Sequence, residues 1–101
     1  MSTTLNNAQK RYLRGLAHDL KPIILVGAKG ISEALLAELD LALERHGLLK
    51  VKFSAQDRET RDAWMDQLVE KSASSLINKI GNTIIIFRRS KDKPLIILPK
   101  A

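Results

Sequence analysis

The apolar residues in the N-terminal part of the chain are spaced as in a helix. They recur at positions i, i+3, i+4 and i+7, which places on one helical face Leu13, Leu16, Ala17 and Leu20. Asn6 is suited to cap this helix, because Gln9 follows it at the spacing of a capping box. Pro22 would end the helix just before Lys21, since proline disfavours helical geometry in the residue that precedes it.

The next segment predicts a buried strand, a tight turn and a second helix. Residues 23–26 form a short apolar run rich in β-branched side chains, and Gly-Ala-Lys-Gly follows at 27–30. The second helix is predicted from about residue 32 to residue 45, with Gly47 as its C-terminal cap. Its inward-facing residues would be Leu35, Leu36, Leu39, Ala42 and Leu43.

A second strand and a third helix follow. Residues 48–53 alternate apolar side chains with Lys50 and Lys52, as in a strand with one apolar face and one lysine face. Asp57 would cap a helix that ends at about residue 72. Its inward-facing residues would be Trp64, Met65, Leu68 and Val69.

The last predicted strands, residues 75–80 and 83–89, flank the two-residue hairpin signal Gly81-Asn82. The element order is therefore αβαβαββ, in which the first two strands and the helix between them form a βαβ unit with parallel strands. The predicted fold class is α/β. We expect one compact domain over residues 1–101, with three helices and a mixed sheet of about four strands.

The composition agrees with one compact domain. The chain has 101 residues, of which 45% are hydrophobic, enough for a single core. It contains no cysteine, which excludes a disulfide framework, a thiolate nucleophile and a cysteine-built zinc site. The N-terminal residues lack the apolar core of a signal peptide, and no apolar run approaches the ~20 residues that span a bilayer. We therefore expect a soluble, cytoplasmic protein.

The charge is basic overall and unevenly distributed. The formal net charge is +6, and residues 1–30 carry five basic side chains against one acidic. Residues 31–49 carry one basic and four acidic side chains, whereas residues 76–101 carry six basic and one acidic. Alternating basic and acidic segments can fold into a particle with one basic face, which is the electrostatic footprint of a nucleic-acid-binding protein. The alternative is a basic protein whose charge only keeps it soluble.

The turn at residues 27–30 is the strongest candidate for a binding site. Glycine at Gly27 can adopt a positive φ, and neither Gly27 nor Gly30 has a side chain that would keep a ligand from the backbone. The helix that follows directs unpaired N–H groups and its positive dipole end toward the turn, and Lys29 adds a full charge. Such a turn can hold phosphate oxygens. The alternative is an ordinary tight connection between a strand and a helix.

Two other phosphate-binding loops do not match this turn. A dinucleotide-binding fold requires a third glycine and an acidic residue at the end of the second strand, but Ile31 follows Gly30, and the second strand ends in Lys52-Phe53-Ser54. A Walker A loop requires Gly-Lys-Ser/Thr, but Gly30 follows Lys29. What remains is similar to the GXXG loop by which KH domains clamp an RNA backbone.

No catalytic or metal-binding arrangement is evident. The two histidines, His18 and His46, have no acidic or histidine partners at ligand spacing, and the acidic residues of the third predicted helix are spaced as solvated surface. We expect neither an enzyme nor a cofactor. Other cations cluster around the turn instead: Lys10, Arg14, His18 and Lys21 are spaced along one flank of the first helix, with Arg11 beside them.

Four segments in order carry a family resemblance: residues 12–22, 26–32, 46–53 and 80–89. Together they resemble the CRM domain (chloroplast RNA splicing and ribosome maturation), in particular its bacterial stand-alone YhbY-type form, over about residues 5–99. The resemblance implies a fold related to the C-terminal domain of translation initiation factor three, RNA binding through a GXXG loop, and association with precursors of the large ribosomal subunit. The chain departs from the family pattern at Gly47, Asn82 and Phe87, where the family usually has Glu, Lys and Tyr.

The sequence therefore predicts a non-enzymatic RNA-binding protein, a ribosome-assembly factor that associates with ribosomal RNA. The predicted RNA-binding residues are Gly27, Ala28, Lys29, Gly30, Lys10, Arg11, Arg14, Lys21, Lys50, Lys52 and Arg88. We expect a monomer without a membrane or small-molecule partner. One alternative is a structural or protein-interaction module that docks through the apolar residues 95–98. A winged-helix DNA-binding protein is disfavoured, because the candidate recognition helices are acidic.

Overall fold

The computed structural model describes residues 5–55 and 57–89 of the chain. The elements follow the predicted order: α1 (Asn7–Ala17), β1 (Ile24–Val26), α2 (Glu33–His46), β2 (Leu48–Phe53), α3 (Arg58–Ser72), β3 (Ser75–Ile80) and β4 (Thr83–Phe87). This confirms the α/β class, the three helices and the four strands. The tail at residues 95–98, to which the protein-interaction alternative was assigned, lies outside the described residues.

Polar side chains fix the starts of all three helices. At α1, Asn6 Oδ1 accepts from the Gln9 backbone N–H at 2.8 Å, while Gln9 Oε1 accepts from the Asn6 N–H at 3.2 Å, which is the predicted capping box. At α3, Asp57 accepts from the Thr60 N–H at 2.9 Å. This amide hydrogen bond is the main reason why the pKa of the Asp57 carboxyl lies below its usual value.

The four strands form one mixed sheet in the order β1-β2-β4-β3. As predicted, β1 and β2 are parallel, and β3 and β4 form an antiparallel hairpin that closes with the pair Ile80 and Thr83. The strand β2 pairs antiparallel with β4, which brings the hairpin next to the βαβ unit. A register shift in β3 between Leu76 and Asn78 was not predicted.

Both faces of the sheet are covered, each by a different set of helices. The helices α2 and α3 pack on one face, and the core beneath them contains Ile24, Val26, Leu39, Leu43, Leu49, Val51, Phe53, Met65, Leu68, Ile84 and Ile86. The helix α1 packs on the other face, over a smaller cluster of Leu13, Ala17, Leu48, Ile77, Ile85 and Phe87. Because each fully buried leucine contributes about 2 kcal/mol, Leu13 is a main anchor of α1.

The end of α1 differs from the prediction. The helix ends at Ala17 rather than near Leu20, and only Leu13 and Ala17 of the predicted apolar face are buried. The chain leaves α1 through i→i+3 hydrogen bonds, including Leu20 N–H to the Ala17 carbonyl at 3.0 Å. Pro22 limits only how far the helix can extend. Leu20 is exposed, so burial of its side chain does not favour a longer helix.

None of the helices in the described part of the chain is both long and apolar enough to cross a membrane. Within the same residues, no three histidine, cysteine or acidic side chains are grouped so that they could hold a metal ion.

Candidate nucleic-acid interface

The segment Gly27–Gly30, here called the GAKG loop, is held at both ends by hydrogen bonds. The carbonyl of Val26, just before the loop, accepts from the Ser54 N–H at 3.0 Å and from Ser54 Oγ at 2.9 Å. The Gly30 N–H donates to the Gly27 carbonyl at 3.0 Å and closes the turn. The three residues before Gly30 are exposed, so the loop presents its backbone and Lys29 to solvent. Sequence analysis missed the role of Ser54, although its place at the end of the neighbouring parallel strand was the available signal.

The last glycine of the loop is required by the fold. Gly30 is buried with φ +73°, and a Cβ there would lie 2.9 Å from two ring carbons of Trp64. Trp64, which was predicted to be a packing residue, rests against the α2–α3 core beneath the loop. Gly27 does not use the positive φ that glycine allows: among the described residues, the glycines with positive φ are Gly30, Gly47 and Gly81.

We expect the two loop glycines to respond differently to alanine. Gly30→Ala combines an unfavourable φ with a clash against Trp64, so it should lower the free energy of unfolding by about 2 kcal/mol or more. Gly27→Ala adds a methyl group with no heavy atom within 4 Å and should change stability by less than about 0.5 kcal/mol. Urea denaturation of both variants measures the difference. Equal losses of unfolding free energy would contradict the conclusion that the fold requires glycine at Gly30 but not at Gly27.

The cavity beside the loop is of mixed charge. It has a volume of about 490 Å³, and its lining includes Lys29, Leu25 and Glu38. Ser32 caps α2 by accepting from the Leu35 N–H at 3.1 Å, and Glu33 lies in the first turn of that helix. The cavity is therefore lined by one cation and one carboxylate, with a second carboxylate in the first turn of α2, so only part of it favours an anion. Sequence analysis did not identify either glutamate as a neighbour of the loop.

The predicted lysine face of β2 points toward α1. Lys52 is exposed, and it lines a groove of about 480 Å³ together with Lys21. Lys50 is half-buried, and its Nζ donates to the His18 carbonyl at 3.4 Å, near the end of α1. Lys50 therefore contributes charge on this face but also helps to fix the end of the helix.

The cations of α1 lie on the helix that covers this same face of the sheet. Lys10, Arg11 and Arg14 belong to α1, and both arginines are exposed. The predicted flank is shorter than expected, because His18 is the C-cap and Lys21 lies beyond the helix. We call three neighbouring parts of the surface the basic face: α1, the side of β1 and β2 that faces α1, and the GAKG loop. Its cations are Lys10, Arg11, Arg14, Lys21, Lys29, Lys50 and Lys52.

The structure places Arg88 outside the basic face. Its guanidinium contacts Asp40 Oδ1 at 2.7 Å and Glu44 Oε2 at 3.0 Å, and it donates to the Ser72 carbonyl at 3.0 Å. The side chain is only 16% exposed. These partners belong to α2 and to the end of α3, on the opposite side of the sheet from Lys52. Arg88 thus joins two helices to the end of β4, and we assign it a structural role instead of the RNA contact predicted for it.

The acidic residues on α3 include one that forms ion pairs. Asp62 accepts from Lys79 Nζ at 2.6 Å and lies 3.5 Å from the Arg61 guanidinium. The hydrogen bond from Lys79 is the main reason why the pKa of the Asp62 carboxyl lies below its usual value. This part of the α3 surface therefore carries both acidic and basic side chains, whereas the charged side chains of α1 are all basic.

Comparison with known proteins identifies the family. Residues 5–88 match the model of the CRS1 / YhbY (CRM) domain. The chain belongs to the CRM domain family. This confirms the resemblance drawn from four short segments, and the match extends from two residues before α1 to the residue after β4.

Relatives of this CRM domain are named for RNA binding. The chain is 38% identical over 90 residues to an "RNA-binding protein" of Haemophilus influenzae, covering 89% of this chain and 91% of that one. It is 38% identical over 95 residues to the "probable RNA-binding protein YqeI" of Bacillus subtilis, covering 94% and 99%. The solution structure of SAV1595 from Staphylococcus aureus, a hypothetical protein described as a candidate RNA-binding protein, superimposes with a TM-score of 0.79 at 38% identity, covering 95% and 100%.

Proposed function

We propose that this CRM domain is an RNA-binding protein that holds the phosphate backbone on its basic face. The observation that carries the proposal is the segregation of charge between the two sides of the sheet. The helix α1 has three basic residues and no acidic ones, whereas α2 has two basic residues, counting a histidine, and four acidic ones. A surface of one sign attracts a polyanion, and the acidic side disfavours it, so the RNA has one side on which to bind.

Each part of the basic face has a distinct task in this proposal. The cations of α1 neutralise phosphates along the backbone, which gives affinity without sequence information. The GAKG loop provides one closer contact, because the exposed, side-chain-free Gly27 lets a phosphate approach the backbone next to Lys29. Glu38 lines the same cavity as Lys29, and Glu33 lies in the first turn of α2. Their carboxylates repel a phosphate, so the contact is proposed at Lys29 and not deeper along α2.

The RNA proposed as the partner is ribosomal RNA in precursors of the large ribosomal subunit, and the proposed role is non-enzymatic assistance in assembly. The support for this finer statement is the resemblance to the CRM domain, which implies association with precursors of the large subunit, together with a basic face that can bind a folded polyanion. Sequencing of RNA crosslinked to the protein in cells tests it. We expect enrichment of large-subunit ribosomal RNA and its precursors, and a distribution in proportion to total RNA would contradict the assignment.

The affinity for RNA should depend strongly on salt. If α1 and the loop neutralise about four phosphates, the logarithm of the binding constant should fall against the logarithm of salt concentration with a slope near −3 for a single strand. Titration of an unstructured and a structured RNA at several salt concentrations measures the slope. A flat dependence, or no binding at low salt, would contradict RNA binding by the basic face.

A further inference from the structure

The sheet face under α1 is only partly covered by that helix. The buried cluster beneath α1 takes its strand residues from β2, β3 and β4, and none of its described members belongs to β1. The uncovered end lies between the GAKG loop and the Gly81-Asn82 hairpin. There the strand register aligns one residue from each strand in a row: Leu25, Lys52, Thr83 and Ile80.

This row, here called the open row, is apolar at both ends and basic in the middle. Leu25 is 62% exposed and Ile80 is 58% exposed, so the row presents two large aliphatic side chains to solvent on one face of the sheet. With strands ~4.8 Å apart, the two side chains lie about 14 Å from each other, and Lys52 and Thr83 fill the interval. Ile23, 49% exposed, extends the apolar surface beside Leu25 in the groove lined by Lys21.

The open row is continuous with the proposed phosphate site. Leu25 lines both the groove under Lys52 and the cavity of the GAKG loop, so the two adjoin at this side chain. The described lining of the groove contains two lysines and no acidic residue. A ligand that binds the open row and this groove should therefore combine negative charge with flat, apolar surfaces. The unpaired nucleotides of a single strand have both, whereas a duplex keeps the faces of its bases stacked inside.

We propose that the open row binds unpaired bases, so that the protein prefers single-stranded segments of RNA to duplex RNA. This inference rests on the proposed RNA-binding function and specifies the form of RNA. The bases pack on Leu25 and Ile80, Lys52 pairs with a phosphate between them, and the backbone continues to the GAKG loop. Aliphatic contacts distinguish the bases poorly, so the preference is for unpaired structure and not for a particular sequence.

The test compares a fluorescently labelled oligouridylate with a blunt RNA duplex of the same length, by anisotropy on the full chain. The key variant is Leu25→Ser with Ile80→Ser, which removes the apolar contacts and leaves every charge in place. Its matched control is Leu41→Ser with Leu76→Ser: Leu41 is 72% exposed on α2, and Leu76 is an exposed residue of β3 away from the open row. Melting temperatures are recorded for all forms.

We expect the unsubstituted protein to prefer the oligouridylate. The key variant should lose about tenfold in affinity for the single strand and less than about twofold for the duplex, with the same salt slope, while the control loses neither. Equal binding of both RNAs, unaffected by the key variant, would overturn the inference and leave the proposed function standing. A melting temperature lowered only in the key variant, with unchanged affinity, would also overturn it, because the row would then be covered by the chain itself. If the unsubstituted protein binds neither RNA at low salt, the proposed function itself fails.

Discussion

Lys10→Glu combined with Arg14→Glu is expected to reduce RNA affinity at least ~100-fold at moderate salt, because two phosphate contacts are replaced by two repulsive charges. The fold should persist. Neither residue belongs to the cluster under α1. Arg14 lies in the last turn of the helix, where a glutamate is unfavourable to the helix dipole by about 0.3–1 kcal/mol, a smaller effect than the burial of Leu13 beneath the helix. Circular dichroism checks the fold, and anisotropy at several salt concentrations measures the affinity.

The matched control for this variant is Arg58→Glu with Lys71→Glu on α3. Both pairs of substitutions lower the formal net charge from +6 to +2, since each reversal changes it by two units. Arg58 and Lys71 are exposed on the helix that covers the opposite side of the sheet, so this control should keep most of the affinity. An equal loss in both variants would show that only the total charge matters and that the basic face has no special role.

Local features of the sequence were sufficient to predict the elements of the fold. The N-caps Asn6, Ser32 and Asp57 and the C-cap Gly47 begin and end helices by hydrogen bonds within a few residues, so the sequence pattern contains the whole cause. The parallel pairing of β1 and β2 follows from the length and helical pattern of the segment between them. Strand β3 has the predicted boundaries, because the Gly81-Asn82 turn is also a local feature and fixes the end of the strand.

The features that were missed depend on contacts between distant parts of the chain. Trp64 meets Gly30, and Arg88 meets Asp40 and Glu44, only after three elements have packed together. A basic residue in a strand near other cations indicates a binding surface in the sequence, and only the tertiary structure shows that Arg88 is already neutralised. The open row was missed for a similar reason, because neither Leu25 nor Ile80 is distinguishable in the sequence from a residue beneath a helix.

Substituting the two middle residues of the GAKG loop tests the loop separately from α1. Ala28→Asp with Lys29→Asp retains both glycines, the Gly30–Trp64 contact and the hydrogen bond between Gly30 and Gly27. Two new carboxylates then join Glu33 and Glu38 around the phosphate site, so the local charge becomes strongly negative. At separations shorter than the ~8 Å screening length of physiological salt, this repulsion is only weakly screened. We expect RNA affinity to fall by at least ~2 kcal/mol, or about thirtyfold.

The stability of this loop variant should be close to that of the unsubstituted protein, because both substituted side chains are exposed. Thermal denaturation measures it. The matched control is Gln67→Asp with Lys71→Asp on α3, which changes the net charge equally on the side of the sheet away from α1. A loss confined to the loop variant would establish a local phosphate contact, since the total charge and the α1 cations are then held constant. Unchanged affinity in the loop variant would show that Gly27–Gly30 is an ordinary connection between β1 and α2, and that RNA is held by α1 and the sheet alone.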